Sequence, residues 1–509
     1  MAVEFHKIFK ETNESVSRRT LLKGAAAGVL LEADGSHIAL AQDLTAEPSS
    51  RHPVRWISTT ETRPWKQERD SLDVITPKDI ADYHVVLQPN RQFQVIEGFG
   101  GCFHELGWLA LQRLDANLRE DVLNELFAMG TGADFNFCRI PIGANDYARN
   151  WYSHAEVPGD FSMSAFNIAR DRELLIPFIK AARRRRGNMK LWASPWSPPT
   201  WMKTNGHYAQ AQPFASFPDN GLKADQVVGE GEDGFIQKEA YFKAYALYFR
   251  RFVEAYQALG LPITAVVPQN EFNSAQVFPS CCWSPEGLAR FIPYLGKEMQ
   301  AAGVDVWFGT LERSDDSLFE KVNGMPDVAP FITGIAAQWA GRGAVPFIHH
   351  AHPQLKVIQS EQECGTGTND WRFARYTWSM MKDFLHAGAS IYDYWNLVTP
   401  LGGLSTWGWP QNSLISVDPR SGTFTYNPDY YVLKHLSHFV HPGARRIGTS
   451  SISGYDNLLA FQNPDGKLVV IIQNELGRPM PVHLAMGGFN GPTYRADLPA
   501  DSFNTIAIL

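Results

Sequence analysis

The chain has 509 residues, of which 44% are hydrophobic and 12% aromatic, and its formal net charge is −7. This length and apolar fraction are typical of a folded protein with about three domains, or of one large barrel with an attached domain. They exclude a chain that is disordered throughout. The negative charge argues against a nucleic-acid-binding protein, because such proteins normally carry a basic surface. The 5 cysteines are too few for a disulfide scaffold, and they include no C-x-x-C pair.

Residues 1–42 are similar to a twin-arginine export signal. Arg18 and Arg19 precede a short apolar run from Gly24 to Leu31, and Ala39-Leu40-Ala41 fits a signal-peptide cleavage site. The alternative is a disordered tail that contains an arginine pair by chance. We expect export to the periplasm or the cell exterior. Beyond this segment no apolar run approaches the roughly 20 residues needed to cross a bilayer, so we expect no transmembrane span.

Two segments precede the main part of the chain. Residues 43–80 are polar with scattered prolines, which predicts a linker. Residues 82–97 carry two short apolar runs on either side of Pro89-Asn90. This pattern predicts a β-hairpin.

Residues 98–439 alternate between short apolar runs and longer amphipathic segments. Eight alternations of a strand with a helix predict an α/β fold, the (β/α)₈ TIM barrel. A ten-strand or open doubly wound sheet is the structural alternative. The eight apolar runs are 98–101, 135–140, 190–194, 263–267, 304–309, 332–337, 356–358 and 389–394.

The helical period is lost after the predicted barrel. The apolar runs 458–461 and 468–472 flank Asn463-Pro464-Asp465-Gly466, a sequence that predicts a hairpin turn. We expect residues 440–509 to form a small all-β sandwich. This side domain would also take in residues 81–97, so that it is built from both ends of the chain.

Two glutamates stand at the ends of predicted barrel strands. The fourth run leads to Asn270-Glu271 and the seventh leads to Ser360-Glu361. Barrel enzymes place their active groups where strands end. Cleavage of a glycosidic bond requires one carboxylic acid to protonate the leaving oxygen and one carboxylate to attack or stabilise the anomeric carbon. The alternative is a pair of structural carboxylates, each bonded to a neighbouring arginine.

The predicted barrel mouth also carries aromatic and polar side chains suited to a sugar. Trp196, Trp339 and Trp395 each stand near the end of a predicted strand, and tryptophan rings can pack against the C–H faces of a sugar. Arg139 and Asp146 belong to the end of the second run. There they can hydrogen-bond hydroxyl groups or hold a carboxylate.

With these residues, the sequence resembles glycoside hydrolase family 30, which includes glucosylceramidases, β-glucosidases, β-xylosidases and β-1,6-glucanases. The resemblance runs from about residue 97 to the C-terminus, and the tryptophan-rich Ser-Pro-Trp segment is its most specific part. The matching stretches are Glu97-Gly98-Phe99-Gly100-Gly101, Arg139-Ile140-Pro141, Ala193-Ser194-Pro195-Trp196-Ser197-Pro198-Pro199-Thr200-Trp201-Met202-Lys203, Gln269-Asn270-Glu271, Ser360-Glu361 and Tyr394-Trp395-Asn396.

The resemblance implies a retaining β-glycosidase similar to glucosylceramidases and β-glucosidases, on a barrel with a β-sandwich side domain. Glu271 would be the general acid/base and Glu361 the nucleophile. Asn270 would bond the sugar 2-hydroxyl, and Arg139 and Asp146 would orient the sugar and the carboxylates. The implied substrate is a β-glycoside, either an oligosaccharide or a glycolipid, and neither a metal nor an organic cofactor is implied. The rings implied to line the first subsite are Trp196, Trp339 and Trp395.

Two departures from the family pattern concern the site. Gln338-Trp339-Ala340 stands where glucosylceramidases resembling the human enzyme carry His-Trp-Tyr, so the preference for glucose stays open. Glu363 is an alternative nucleophile, although we favour Glu361 because the family's nucleophile follows Ser or Thr. The competing functions are a β-xylosidase, a β-glucuronidase, an endo-β-1,6-glucanase and a carbohydrate-binding protein on a degenerate barrel.

Overall fold

The first described part of the chain is made of four strands. The structure is a computed structural model that describes residues 50–75, 84–486 and 491–509, so the predicted export signal at 1–42 lies outside the described residues. The four strands are β1 (Ser50–Thr60), β2 (Arg63–Gln67), β3 (Ser71–Ile75) and β4 (His84–Val95).

Eight parallel strands then close into a barrel. They coincide with the eight predicted apolar runs, so the prediction of a (β/α)₈ barrel is confirmed. Each strand pairs with the next one in sequence, and the last pairs with the first. Phe137, Trp192 and Trp307 belong to the apolar cluster that fills the interior. In chain order the strands are β5 (Gly98–Cys102), β6 (Phe137–Ile142), β7 (Lys190–Pro195), β8 (Ile263–Val266), β9 (Asp305–Leu311), β10 (Ile332–Gln338), β11 (Lys356–Glu361) and β12 (Ala389–Asn396).

The helices begin and end at residues suited to these positions. Ser284 accepts a hydrogen bond from the Gly287 N–H at 2.9 Å and is followed by proline, a combination typical of a helix N-terminus. No helix within the three described ranges is long and apolar enough to span a membrane. The α-helices of these ranges are α1 (Glu105–Leu111), α2 (Ala116–Phe127), α3 (Ala169–Glu173), α4 (Leu175–Arg183), α5 (Glu239–Gln257), α6 (Pro285–Ala302), α7 (Ser317–Asn323), α8 (Val345–Ala351), α9 (Trp371–His386) and α10 (Pro428–Ser437).

The side domain is a ten-stranded sheet that uses strands from before and after the barrel. The strands after β12 are β13 (Val398–Pro400), β14 (Ile415–Asp418), β15 (Thr423–Tyr426), β16 (Arg445–Ser450), β17 (Leu458–Gln462), β18 (Leu468–Asn474), β19 (Met480–Met486), β20 (Thr493–Leu498) and β21 (Ser502–Ile508). Strands β13 to β15 form a separate small sheet. The order of the large sheet is β2-β1-β21-β18-β17-β16-β4-β19-β20-β3, and β3 also pairs with β1.

Two expectations for the N-terminal segments are wrong. The predicted linker over 43–80 is wrong for residues 50–75, which form strands because apolar side chains such as Val54 and Trp56 are buried in the core of the side domain. The predicted hairpin over 82–97 is a single strand, β4. Its pairing with β16 jumps from Gln92 to Gln88, so the intervening residues form an irregularity within β4 instead of a turn.

Strands β17 and β18 are buried on both faces. Along β17, Leu458 and Ala460 face the core of the side domain, whereas Leu459 and Phe461 belong to the cluster that surrounds the barrel strands. The same alternation continues along β18. The large sheet therefore packs against the barrel through one face and closes its own core with the other.

Candidate active site

Arg139 lies at the centre of a polar network where the barrel strands end. Its side chain is fully buried on β6. Its Nε donates to Ser194 Oγ on β7 at 2.9 Å, and its second terminal nitrogen donates to Asn270 Oδ1, just beyond β8, at 2.5 Å. Its first terminal nitrogen donates to Glu361 at the end of β11. One planar guanidinium thus fixes side chains from three other strands.

Gln338 and Thr310 complete this network from β10 and β9. Gln338 Nε2 lies 3.1 Å from both Asn270 Oδ1 and Glu361 Oε2. Thr310 Oγ1 donates to Asn270 Oδ1 at 3.2 Å. Because three donors converge on Asn270 Oδ1, the orientation of its amide is fixed. Asn270 Nδ2 has no acceptor within the described part of the chain, which leaves it available to a ligand hydroxyl.

Glu271 is positioned through its backbone as well as its carboxyl group. Its φ of 46° lies in the left-handed region, which costs a non-glycine residue about 1–2 kcal/mol. Its backbone N–H donates to Thr310 Oγ1 at 2.8 Å. Its carboxylate accepts from Gln276 Nε2 at 3.2 Å, and the nearby Gln338 amide lowers its pKa. The amide that bonds to Glu361 therefore also acts on Glu271.

The surroundings of the two glutamates raise the pKa of both. Burial is the main cause for each carboxyl group. Repulsion from Glu271 and Asp146 raises the pKa of Glu361 further, and the Arg139 guanidinium opposes this rise. Repulsion between two neighbouring carboxylates disfavours the state in which both are ionised. The direct hydrogen bond from Arg139 favours the charge on Glu361 and therefore the proton on Glu271.

Asp146 lies beyond the end of β6 and is tied to the loop that follows β13. Its Oδ2 accepts from Gln411 Nε2 at 3.0 Å, and Gln411 Oε1 accepts from Trp395 Nε1 at 2.7 Å. Burial raises the pKa of Asp146 to about 7. Asp146 Oδ1 is buried and has no partner among the described residues. Because buried polar atoms are normally hydrogen-bonded, this oxygen is suited to a ligand hydroxyl.

Trp196 and Trp395 are buried against Arg139 and are not exposed platforms. Their exposed fractions are 2% and 1%, and Arg139 Cζ lies 4.4 Å and 5.5 Å from the respective ring centroids. The two rings therefore hold the guanidinium by cation–π contacts. Trp339 starts a 3₁₀ turn after β10 and packs against the cluster around the barrel strands. It is not part of the cluster that contains Trp196 and Trp395.

Glu363 points to a different environment from Glu361. Burial raises the pKa of its carboxyl group, and Tyr376 on α9 opposes this rise. The structure therefore brings Glu361 to Arg139 and leaves Glu363 outside the network.

Three residues of the site were not named in the analysis of the sequence. Thr310 lies on β9, one residue past the fifth predicted run, and a search of every strand end would have found it. Gln276 and Gln411 lie in loops after β8 and β13, where no periodic pattern marks them. Their roles depend on how the loops fold back over the mouth.

Comparison with known proteins identifies the family. The model of the glycosyl hydrolase family 30 TIM-barrel domain matches residues 96–440, and that of the family 30 beta sandwich domain matches residues 443–506. The lysosomal acid glucosylceramidase of Mus musculus is 28% identical over 432 residues, which cover 79% of either chain. The endo-1,6-beta-D-glucanase neg1 of Aspergillus fumigatus is 27% identical over 437 residues, covering 81% of this chain and 84% of that one.

A solved structure shares the whole architecture. The crystal structure of SrfJ from Salmonella typhimurium matches with a TM-score of 0.78 at 22% identity, covering 90% of this chain and 99% of that one. Together with the two matched domains, the closed barrel and the side sheet lead to one conclusion: the chain belongs to glycosyl hydrolase family 30 and is a glycoside hydrolase.

Proposed function

We propose that the protein is a retaining β-glycosidase in which Glu271 is the general acid/base and Glu361 is the nucleophile. The observation that supports this assignment most directly is the division of donors between the two carboxyl groups. Gln338 donates to Glu361 and lowers the pKa of Glu271, whereas Arg139 donates to Glu361 alone. The retaining route requires the two carboxyl groups to lie roughly 5–5.5 Å apart.

The proposed reaction has two displacement steps. In the first, Glu361 attacks the anomeric carbon while Glu271 gives its proton to the leaving oxygen, which forms a covalent glycosyl-enzyme. In the second, Glu271 takes a proton from water, the water oxygen attacks the anomeric carbon, and the bond to Glu361 breaks. Arg139 stabilises the carboxylate of Glu361 before the first step and again when it is released in the second.

We propose that the substrate is a β-glucoside, either a glucosylceramide-like glycolipid or a β-glucan. The names of two relatives, a glucosylceramidase and an endo-1,6-beta-D-glucanase, support glucose at the cleaved bond. Asn270 Nδ2 and Asp146 Oδ1 offer a donor and an acceptor to sugar hydroxyl groups. Arg139 is a poor partner for the carboxylate of a glucuronide, because its nitrogens already bond to Ser194, Asn270 and Glu361.

The catalytic assignment can be tested with aryl β-glucosides whose leaving groups differ in basicity. We expect Glu361→Gln to lower kcat by at least about a thousandfold, because no covalent intermediate can form. Glu271→Ala should slow substrates with poor leaving groups most and should be rescued by azide, which needs no general base. Glu363→Gln is the matched control and should keep near-native turnover. Native turnover by Glu361→Gln, or a loss with Glu363→Gln instead, would refute the assignment.

We also propose that the chain is exported. The support is the arginine pair Arg18-Arg19, the apolar run after it and the small-residue site Ala39-Leu40-Ala41. Fractionation of bacterial cells that express the chain, with and without Arg18→Lys and Arg19→Lys together, tests this proposal. The same distribution of both forms between the cytoplasm and the exported fraction would contradict it.

A further inference from the structure

An aromatic cluster stands at the barrel mouth, outside the site described above. Phe214 and Phe217 belong to the loop after β7, and Trp409 belongs to the loop between β13 and β14. The ring centroids are 5.3 Å apart for Phe214 and Phe217, and 5.5 Å apart for Phe217 and Trp409. Phe214 is 40% exposed, and the other two rings are half-buried. We call these three residues the aromatic rim.

The two loops that carry the aromatic rim are fixed against each other. A Cβ at Gly408 would lie 2.7 Å from Pro218 Cδ and 3.1 Å from Phe217 Cγ, so the loops approach more closely than another residue would allow. Asn220 Nδ2 donates to the carbonyl oxygens of Ala211 and Val277, each at 2.9 Å, and closes the base of the first loop. A preformed surface loses little conformational entropy when a ligand binds.

The aromatic rim is continuous with the site through the residues on either side of Trp409. Trp407 packs against Trp151 with a centroid distance of 4.3 Å and belongs to the same cluster as Trp395. Gln411 bonds to both Asp146 and Trp395. Since Gln411 is two residues from Trp409, their Cα atoms are at most about 8 Å apart. A sugar chain that leaves the Asp146 side of the site therefore meets the aromatic rim next.

We propose that the aromatic rim is a subsite for a second glucose residue of a β-glucan chain. Aromatic rings hold the C–H faces of sugars without fixing one set of hydroxyl positions. This inference rests on the proposed function and deepens it, because a subsite for a second glucose residue selects a β-glucan over a glycolipid.

Binding in an inactive background tests the subsite separately from catalysis. The probe is the linear β-1,6-linked glucotetraose, titrated by calorimetry into the Glu361→Gln protein. Adding Trp409→Ala should weaken binding about five- to tenfold, the equivalent of one lost aromatic contact, and Phe217→Ala should act in the same direction. Trp409→Tyr should restore most of the affinity. Leu401→Ala is the matched control, because Leu401 lies in the same loop, is 64% exposed and is not part of the aromatic rim.

Kinetics with the otherwise native enzyme provide the second readout. We expect kcat/KM to rise with the number of glucose units from two to four, and Trp409→Ala to flatten this rise relative to an aryl β-glucoside. Tetraose binding unaffected by Trp409→Ala and Phe217→Ala would overturn the subsite, whether or not the aryl glucoside is cleaved. Selective loss of octyl β-glucoside hydrolysis in these variants would also overturn it, in favour of an alkyl-binding surface. If the tetraose binds normally but the aryl glucoside is not cleaved, the result counts against the proposed catalytic function instead.

Discussion

Gln338 is the residue that acts on both carboxyl groups. Its Nε2 donates to Glu361 Oε2 at 3.1 Å, and the same amide lowers the pKa of Glu271. Hydrogen bonds to a carboxylate favour its ionised form. Gln338 therefore lowers the pKa of the pair against the effect of burial.

Replacing Gln338 by alanine should impair catalysis and shift its pH dependence. We expect kcat/KM to fall about ten- to a hundredfold, as for the loss of a hydrogen bond to a charged group. Without the amide the pKa of the nucleophile rises, so the acidic limb of the kcat/KM profile should move to higher pH. Gln338→His restores a donor and should recover part of both effects. An unchanged acidic limb in the alanine variant would show that Gln338 has only a packing role.

The sequence predicts the residues of the site that stand on strand ends. Glu271, Glu361 and Arg139 follow from the rule that barrel strands deliver active groups at one edge, Asn270 follows from the family resemblance, and the structure brings all four together. The predicted roles of Trp196 and Trp395 were incomplete, because the periodicity of apolar residues in a sequence does not show which ring will cover a guanidinium group. Such contacts depend on how strands far apart in sequence face each other across the mouth.

At the scale of elements, Lys203 fastens two loops that frame the site. Its ammonium donates to Ser197 Oγ at 3.2 Å, to the Tyr208 carbonyl at 2.7 Å and to the Ser280 carbonyl at 2.6 Å. The first two acceptors belong to the loop after β7 and the third to the loop after β8. The side chain is buried, and burial lowers the pKa of Lys203 to about 8. All three N–H groups of the lysine are therefore used within the protein.

Replacing Lys203 by methionine should destabilise the protein. Methionine fills a similar volume but leaves the three acceptors without this donor, and we expect the free energy of unfolding to fall by about 2–4 kcal/mol. Chemical denaturation measures this change. The control is Lys243→Met on the exposed face of α5, where the lysine only pairs with Glu239 and where we expect no measurable change. Equal effects of the two substitutions would contradict the fastening role of Lys203.

Regular elements were more predictable than the segments between them. The barrel strands are continuous apolar runs because helices cover one side of them and the interior fills the other. Residues 50–75 were mistaken for a linker because β2, most of β3 and the start of β1 are not fully buried, so polar residues and prolines interrupt the apolar pattern. The small sheet of β13 to β15 had no periodic signal, although its loop carries Gln411 and Trp409.

At the scale of the whole molecule, two sets of buried groups make stability depend on pH in opposite directions. The carboxylic acids hold a proton in the folded state that the unfolded chain loses above about pH 4, so their effect is to lower stability as pH rises toward their folded pKa. Burial raises these pKa values, to about 7 for Asp146, about 8 for Asp393 and about 7 for Asp429. The histidines stay neutral in the folded state, so they lower stability as pH falls below about 6.5. Burial lowers their pKa values, to about 3 for His104, about 3 for His435 and about 4 for His438.

Between about pH 4 and 6.5 the acids and the histidines have opposite effects on stability. Above pH 6.5 only the acids change stability. We therefore expect the thermal midpoint of unfolding to fall as pH rises from 6.5 to 8.

Asp393 should contribute most to this pH dependence, because inside the barrel one of its oxygens accepts from Trp192 Nε1 at 2.5 Å and the other has no partner among the described residues. Asp393→Asn mimics the neutral acid. It should make the free energy of unfolding fall less steeply with pH, by up to about 1.4 kcal/mol per pH unit, and the thermal midpoint should follow. Asp465→Asn should leave the slope unchanged, because hydrogen bonds lower the pKa of that exposed group and it titrates below this range. A thermal midpoint that rises from pH 6.5 to 8, or an equal slope in Asp393→Asn, would show that these acids are not the cause.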